Sequence, residues 1–166
     1  MKKCLAILLL FLSACSSAPH VVPSPVAPLT NTEEEMNNLA IYAMSLYDTP
    51  YRSGGTTSTS GFDCSGFVQY VFRNSLSLSL PRTSAEMGRV GMPIAEDSLK
   101  PGDLVFFNTL HSPYSHVGIY VGEYRFVHAP SKGRAIMLSN LHEKYWQKRY
   151  EGARRIDPER LTSNQR

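Results

Sequence analysis

The chain has 166 residues, 42% hydrophobic and 19% charged, which suits one modest globular domain preceded by an N-terminal extension. Its formal net charge is only +3, and Lys2 and Lys3 in that extension carry two of those charges. Basicity on that scale implies no nucleic-acid partner.

Residues 1–14 read as a charged start (Lys2, Lys3), a short apolar run over residues 5–12 and small residues at the end. That is the pattern of a secretory signal, too short to span a bilayer. Its close, Leu12-Ser13-Ala14-Cys15, resembles the lipobox of bacterial lipoproteins. The resemblance implies removal of residues 1–14 and acylation of Cys15 with two or three chains, a stable anchor. Ser16 is not the Asp that marks inner-membrane retention, so the same resemblance implies an outer-membrane anchor with the domain facing the periplasm. Residues 15–31 carry Pro19, Pro23, Pro25 and Pro28 with no apolar period, and read as an extended tether. At about 3 Å per residue it spans roughly 50 Å. Cys4 leaves with the signal and Cys15 is acylated, so the domain at 32–157 keeps one thiol, Cys64. No internal disulfide can form there, and a structural zinc would lack sulfur ligands.

Thr32 with Glu35 forms a capping box, and Met36, Leu39, Ala40, Ala43, Met44 and Tyr47 follow at helical spacing until Asp48-Thr49-Pro50 ends the helix. A Gly/Ser/Thr-rich loop over residues 53–61 leads into a second apolar helix pattern, Phe67, Val68, Val71 and Phe72. Asp63 stands at the N-cap position, where its carboxylate can accept the Gly66 N–H. Leu76, Leu78 and Leu80 alternate with serine, an extended pattern, and Thr83 or Ser84 can cap a short helix through Met87. Strands are expected at residues 104–107, 116–121, 126–129 and 150–156, with 135–138 fitting another. Residues 140–147 are ambiguous, and 158–166 form a tail. Lys and Arg outnumber Asp and Glu from residue 144 onward, which a solvated surface explains. Helices followed by a meander of strands predict an α+β domain, helices against one face of an antiparallel sheet.

Cys64 is the residue with chemistry to offer. It falls in the first turn of a helix, where the dipole favours thiolate, while Asp63 beside it opposes the charge. A neighbouring cation would settle the balance. Of five histidines, His116 and His128 lie on adjacent strands, His111 lies in the loop 108–115, and His20 and His142 suit solvated positions. If Gly122 centres the turn, His116 and His128 pair directly and share a face; a two-residue turn would need a bulge to do the same. A strand holds a base more rigidly than a loop, which favours His116 over His111. The competing reading makes Cys64 a small buried apolar residue and the histidines half-buried strand residues.

Six motifs in order resemble the NlpC family of bacterial cell-wall cysteine peptidases: Tyr51-Arg52-x-Gly54-Gly55, Asp63-Cys64-Ser65-Gly66-Phe67-Val68, Leu80-Pro81-Arg82-Thr83-Ser84, Pro101-Gly102-Asp103-Leu104-Val105-Phe106-Phe107, Ser115-His116-Val117-Gly118-Ile119-Tyr120 and Phe126-Val127-His128-Ala129. The match covers about residues 39–156. The resemblance implies a papain-like α+β fold that acts without metal or cofactor. It implies hydrolysis of amide bonds in peptidoglycan stem peptides or their cross-links. Separately from the resemblance, the domain is expected to be a monomer. The resemblance also implies Cys64 as nucleophile, His116 as base and then acid, and His128 as the group orienting His116. Tyr51, Asp63 and Ser115 match positions at the rim where substrate or oxyanion contacts are made. The rival from another class is a lipoprotein that binds cell wall, or scaffolds other hydrolases, without cutting. Acyl transfer by the same thiol is a third reading.

Overall fold

The computed structural model describes residues 30–130 and 133–158. The expected signal, the lipidation residue Cys15, most of the tether and the end of the tail lie outside the described residues.

Helix α1 (Asn31–Ser45) starts earlier than the spacing predicts. Thr30, not Thr32, is the cap: its hydroxyl accepts the Glu33 N–H at 3.2 Å and the Glu33 carboxylate accepts the Thr30 N–H at 3.3 Å. The segment Thr30-Asn31-Thr32-Glu33-Glu34-Glu35 contains two overlapping capping boxes, and Lys100, 2.7 Å from Glu33, holds the upstream one. Met36, Leu39, Ala40 and Ala43 are buried as the spacing predicts, whereas Met44 and Tyr47 face solvent.

Two short strands, β1 (Thr56–Thr57) and β2 (Gly61–Phe62), form a small antiparallel ribbon ahead of α2 (Cys64–Leu76). The leucine–serine alternation does not make a strand. The helix runs through Leu76 and stops at Ser77, which takes a left-handed φ of 54° and returns its N–H to the Phe72 and Arg73 carbonyls. Leu78 and Leu80 are buried beneath an irregular segment. Thr83 then caps α3 (Ser84–Met87), with Glu86 completing the box.

The main sheet has six antiparallel strands in the order β3 (Met92–Ile94), β8 (Tyr150–Arg155), β4 (Leu104–Phe107), β5 (His116–Gly122), β6 (Arg125–His128) and β7 (Met137–Asn140). Strand β7 lies two residues downstream of the expected one, and the ambiguous stretch contains a short helix, α4 (Lys144–Gln147). Alternation divides the strands between two apolar layers. Leu104, Phe106, Val117, Ile119 and Val127 pack against α1 and α2. Val105, Phe107, Tyr120, Phe126 and Ala153 pack with Leu141 and Trp146, so the second face is covered as well. The architecture is the expected α+β arrangement, with one correction: both faces of the sheet are buried.

Among the described residues, no helix is long and apolar enough to cross a membrane.

Candidate active site

The site begins with how α2 starts. Asp63 is its N-cap, and Asp63 Oδ1 accepts the Gly66 N–H at 2.6 Å, as the sequence predicts. The same carboxylate accepts the Gly54 N–H at 3.1 Å and both terminal nitrogens of Arg82, at 3.2 and 2.6 Å. Arg82 also donates to Ser65 Oγ at 2.8 Å, and Ser65 donates to Asp63. One carboxylate thus ties together the Gly-rich loop, the helix start and the segment before α3. The loop packs so tightly that a Cβ on Gly66 would lie 2.0 Å from the Gly55 carbonyl oxygen. Glycine is required there by close approach, not by its torsions.

Cys64 occupies the first position of this helix and is partly buried against the main core. Burial pushes its thiol up, and the Asp63 carboxylate adds to the push. The backbone N–H groups of Val117, Ser65 and Cys64 itself pull the other way without reversing it. The Tyr51 phenol lies beside the pair: burial raises its pKa first, then the charges of Cys64 and Asp63. Tyr51 is held by backbone, its N–H donating to Arg134 O at 2.8 Å, and it bridges to Phe62.

The imidazoles come from β5 and β6. Strand β6 pairs Val127 with Ile119 and Phe126 with Tyr120, which sets His128 opposite Gly118. The direct His116–His128 pairing is therefore corrected to a diagonal one on a shared face. A two-residue turn connects the strands, Glu123 and Tyr124 both at positive φ (51° and 58°), and a register shift between Tyr120 and Gly122 restores the parity. The bulge, which the sequence left as one of two options, is the one used. Gly118 makes room for the pair: a Cβ there would meet the Phe126 ring at 2.7 Å and the His128 Cβ at 3.3 Å. His116 Nε2 and His128 Nδ1 are 2.9 Å apart, and His128 Nε2 is 3.0 Å from Ser139 Oγ on β7. Trp146 lies parallel to the His116 ring at 5.7 Å and edge-on to His128 at 4.8 Å.

This covering has an electrostatic consequence. Burial holds His116 down to about 4, and burial followed by the charges of His116 and Arg134 holds His128 well below its ordinary value. The neighbouring cation that would settle the Cys64 balance is thus not an imidazolium. Burial raises the thiol and lowers the ring, so both rest neutral, and Arg82 rather than an imidazolium offsets Asp63.

The thiol of Cys64 meets the strand at the Val117 N–H, one residue beyond His116, the first residue of β5. His116 uses Nε2 for His128, so Nδ1 is its remaining nitrogen.

The other expected residues are placed elsewhere. Ser115 Oγ accepts the Thr109 and Leu110 N–H groups at 2.9 and 3.1 Å and so closes the loop 108–115. His111 is on the exposed side of that loop, lining a cavity of about 400 Å³ with Asn108, Lys148, Arg149, Tyr150 and Glu151. His142 is exposed and packs on Tyr124 at 3.9 Å. Two residues that sequence reasoning missed stand close to the chemistry. Arg82 was visible only as part of a motif. Ser139 gave no signal, because it lies on a four-residue strand without clear alternation.

Residues 48–155 match the NlpC/P60 family. The chain belongs to that family. It is 41% identical to the "Probable endopeptidase NlpC" of Escherichia coli (strain K12), over 94% of this chain and the whole of that one. It is 43% identical to "Murein DD-endopeptidase MepH" of the same strain, over 75% of this chain and 46% of MepH, so it spans less than half of that relative. A crystal structure of an NlpC/P60 family protein from Bacillus cereus superposes with a TM-score of 0.67 at 30% identity, covering 72% of this chain and 39% of that one. Relatives of this NlpC/P60 chain thus include named murein peptidases, and its neighbour in structure shares the α+β fold.

The neutral rings make the NlpC/P60 domain sensitive to acid. An unfolded histidine takes its proton near 6.5, whereas folded His116 takes it near 4. Above the first value the ring is neutral in both states and adds no pH dependence. Between the two the unfolded chain binds a proton that the fold refuses, so stability falls as pH drops, by about 3 kcal/mol for His116. Urea midpoints measured at pH 7 and pH 4.5 should therefore separate more for the wild type than for His116→Gln. Equal separation would contradict the burial argument.

Proposed function

We propose that this chain is a cysteine peptidase that hydrolyses amide bonds in peptidoglycan stem peptides or their cross-links. The observation that carries the reading is the 2.9 Å bond between His116 and His128. It commits one nitrogen of His116 and leaves Nδ1 as a base at the strand end that Cys64 meets through Val117. The relatives named murein endopeptidases support the substrate class.

In this mechanism Cys64 gives its proton to His116 Nδ1 as the sulfur attacks the scissile carbonyl carbon. Contacts between nucleophile and base are commonly looser without substrate and tighten in the complex. The new imidazolium keeps its Nε2–H on His128. Backbone N–H groups at the start of α2 stabilise the oxyanion, with the Tyr51 hydroxyl beside them. The C–N bond breaks as His116 returns the proton to the departing amine, leaving a thioester on Cys64. Water then attacks the thioester, its proton passing through His116 to the sulfur, and the carboxylate product leaves. Asp63 and Arg82 hold the helix start in place. Ser115 acts indirectly, by shaping the loop at the rim.

The anchor belongs to the same proposal. Leu12-Ser13-Ala14-Cys15 supports cleavage before Cys15, its acylation, and a Pro-rich tether that lets a monomeric domain reach the wall from the outer membrane.

Digestion of purified peptidoglycan by the full-length protein, with the soluble fragments weighed, tests the activity. Fragments differing from their parents by one water per cut are expected. Intact sacculi after prolonged incubation would overturn the reading in favour of wall binding without cleavage.

A further inference from the structure

The imidazole pair does not end at His128. Its Nε2 reaches Ser139 Oγ at 3.0 Å, and Ser139 is 8% exposed while His128 is 0% exposed. Register makes the chain of contacts possible. On one side His128 stands opposite Gly118 and diagonal to His116; on the other it stands opposite Met137 and diagonal to Ser139. Three adjacent strands thus present His116, His128 and Ser139 in a row on one face.

Two proton arrangements satisfy this row. In one, His116 Nε2–H donates to His128 Nδ1, and His128 Nε2–H donates to Ser139 Oγ. In the other every bond is reversed: Ser139 donates to His128 Nε2, His128 Nδ1–H donates to His116 Nε2, and His116 carries its proton on Nδ1. Only the first leaves His116 with a lone pair on the nitrogen that could receive a thiol proton. It is also the only arrangement that tolerates a doubly protonated His116, whose Nε2–H must find an acceptor. His128 must then hold its own proton on Nε2, in a site closed to water. Without an oxygen at residue 139 that N–H would be buried and unsatisfied.

Resting on the peptidase reading above, we propose that Ser139 is a positioning residue that accepts the His128 Nε2–H. It thereby fixes the tautomer of His128 and, through it, the basic nitrogen of His116. Ser139 touches neither substrate nor thiol in this role. It acts through two rings.

The test uses Ser139→Thr and Ser139→Val, which have the same shape and differ by one hydroxyl, with Ser139→Ala as the variant least prone to crowding. On a purified muropeptide, Ser139→Val and Ser139→Ala should lose roughly tenfold in kcat, the scale of one neutral hydrogen bond, with KM within twofold. Ser139→Thr should retain most of the rate. Long-range nitrogen NMR on the substrate-free full-length protein should find His128 as the Nε2–H tautomer in wild type and Ser139→Thr, and shifted from it in Ser139→Val. The idea is overturned if wild-type His128 carries its proton on Nδ1, or if Ser139→Val turns over as fast as Ser139→Thr. Should the wild type cleave no muropeptide, the peptidase reading fails, and the tautomer measurement still decides the role of Ser139.

Discussion

Cys64→Ala should lose cleavage of peptidoglycan peptides by a factor on the order of 10⁴ or more while melting as a folded domain. The loss is large because no other nucleophile stands at the start of α2. The side chains around it, Asp63, Ser65 and Arg82, are committed to one another. The fold survives because the thiol supports little of it. The helix is started by Asp63, its close packing on the loop is at Gly66, and its apolar face is Phe67, Val68, Val71 and Phe72. Losing one partly buried sulfur should cost about 1 kcal/mol. Cleavage rates on muropeptides, together with thermal melts followed by circular dichroism, read both halves of the expectation. Retained cleavage in Cys64→Ala would remove the thiol from the mechanism.

Arg155→Ala should be among the most damaging substitutions outside the site, lowering stability by about 3 kcal/mol. Asp103 is 1% exposed, and its carboxylate accepts Arg155 Nε and Nη2 at 2.8 and 2.7 Å and the Lys100 N–H at 2.8 Å. Asp103 also takes the Tyr120 N–H on its carbonyl, so it joins β8 to the turn before β4 and to β5. Removing the guanidinium leaves a buried carboxylate with one backbone donor. Arg155 is itself 28% exposed on its side chain, so solvent screens part of the pair and the lower end of the range for broken buried pairs applies. Urea unfolding of Arg155→Ala measures the loss. Adding Asp103→Leu should restore part of it, because the orphaned charge is then gone. A loss below about 1 kcal/mol would mean that solvent already reaches Asp103.

Much of this was legible in the chain. Asp63 three residues before Gly66 forecasts the helix start, and Thr83 before Glu86 forecasts a second cap, because capping depends on local spacing. The apolar runs at β4, β5 and β6 stand out because they too are local. What stayed hidden depends on distant partners. Which of two overlapping boxes caps α1 is decided by Lys100, 67 residues away from Glu33. Whether His116 faces His128 directly or diagonally is decided by a bulge next to Gly122, and parity alone admitted both. Strand β3 is three residues long and exists by pairing with β8. The charge state of the site is hidden too, because a helix dipole and a nearby ring can be seen in a sequence, while the aromatic cover of Phe107, Phe126 and Trp146 cannot.

The central claim is that the sulfur of Cys64 takes the acyl group of a wall peptide. Mixing the full-length protein with a purified muropeptide, quenching in acid within the first turnover and weighing the intact chain tests it most directly. A mass gain equal to the acyl half of the cleaved peptide, located on the fragment that holds Cys64, is the predicted result. Products released while Cys64 is never acylated would contradict it.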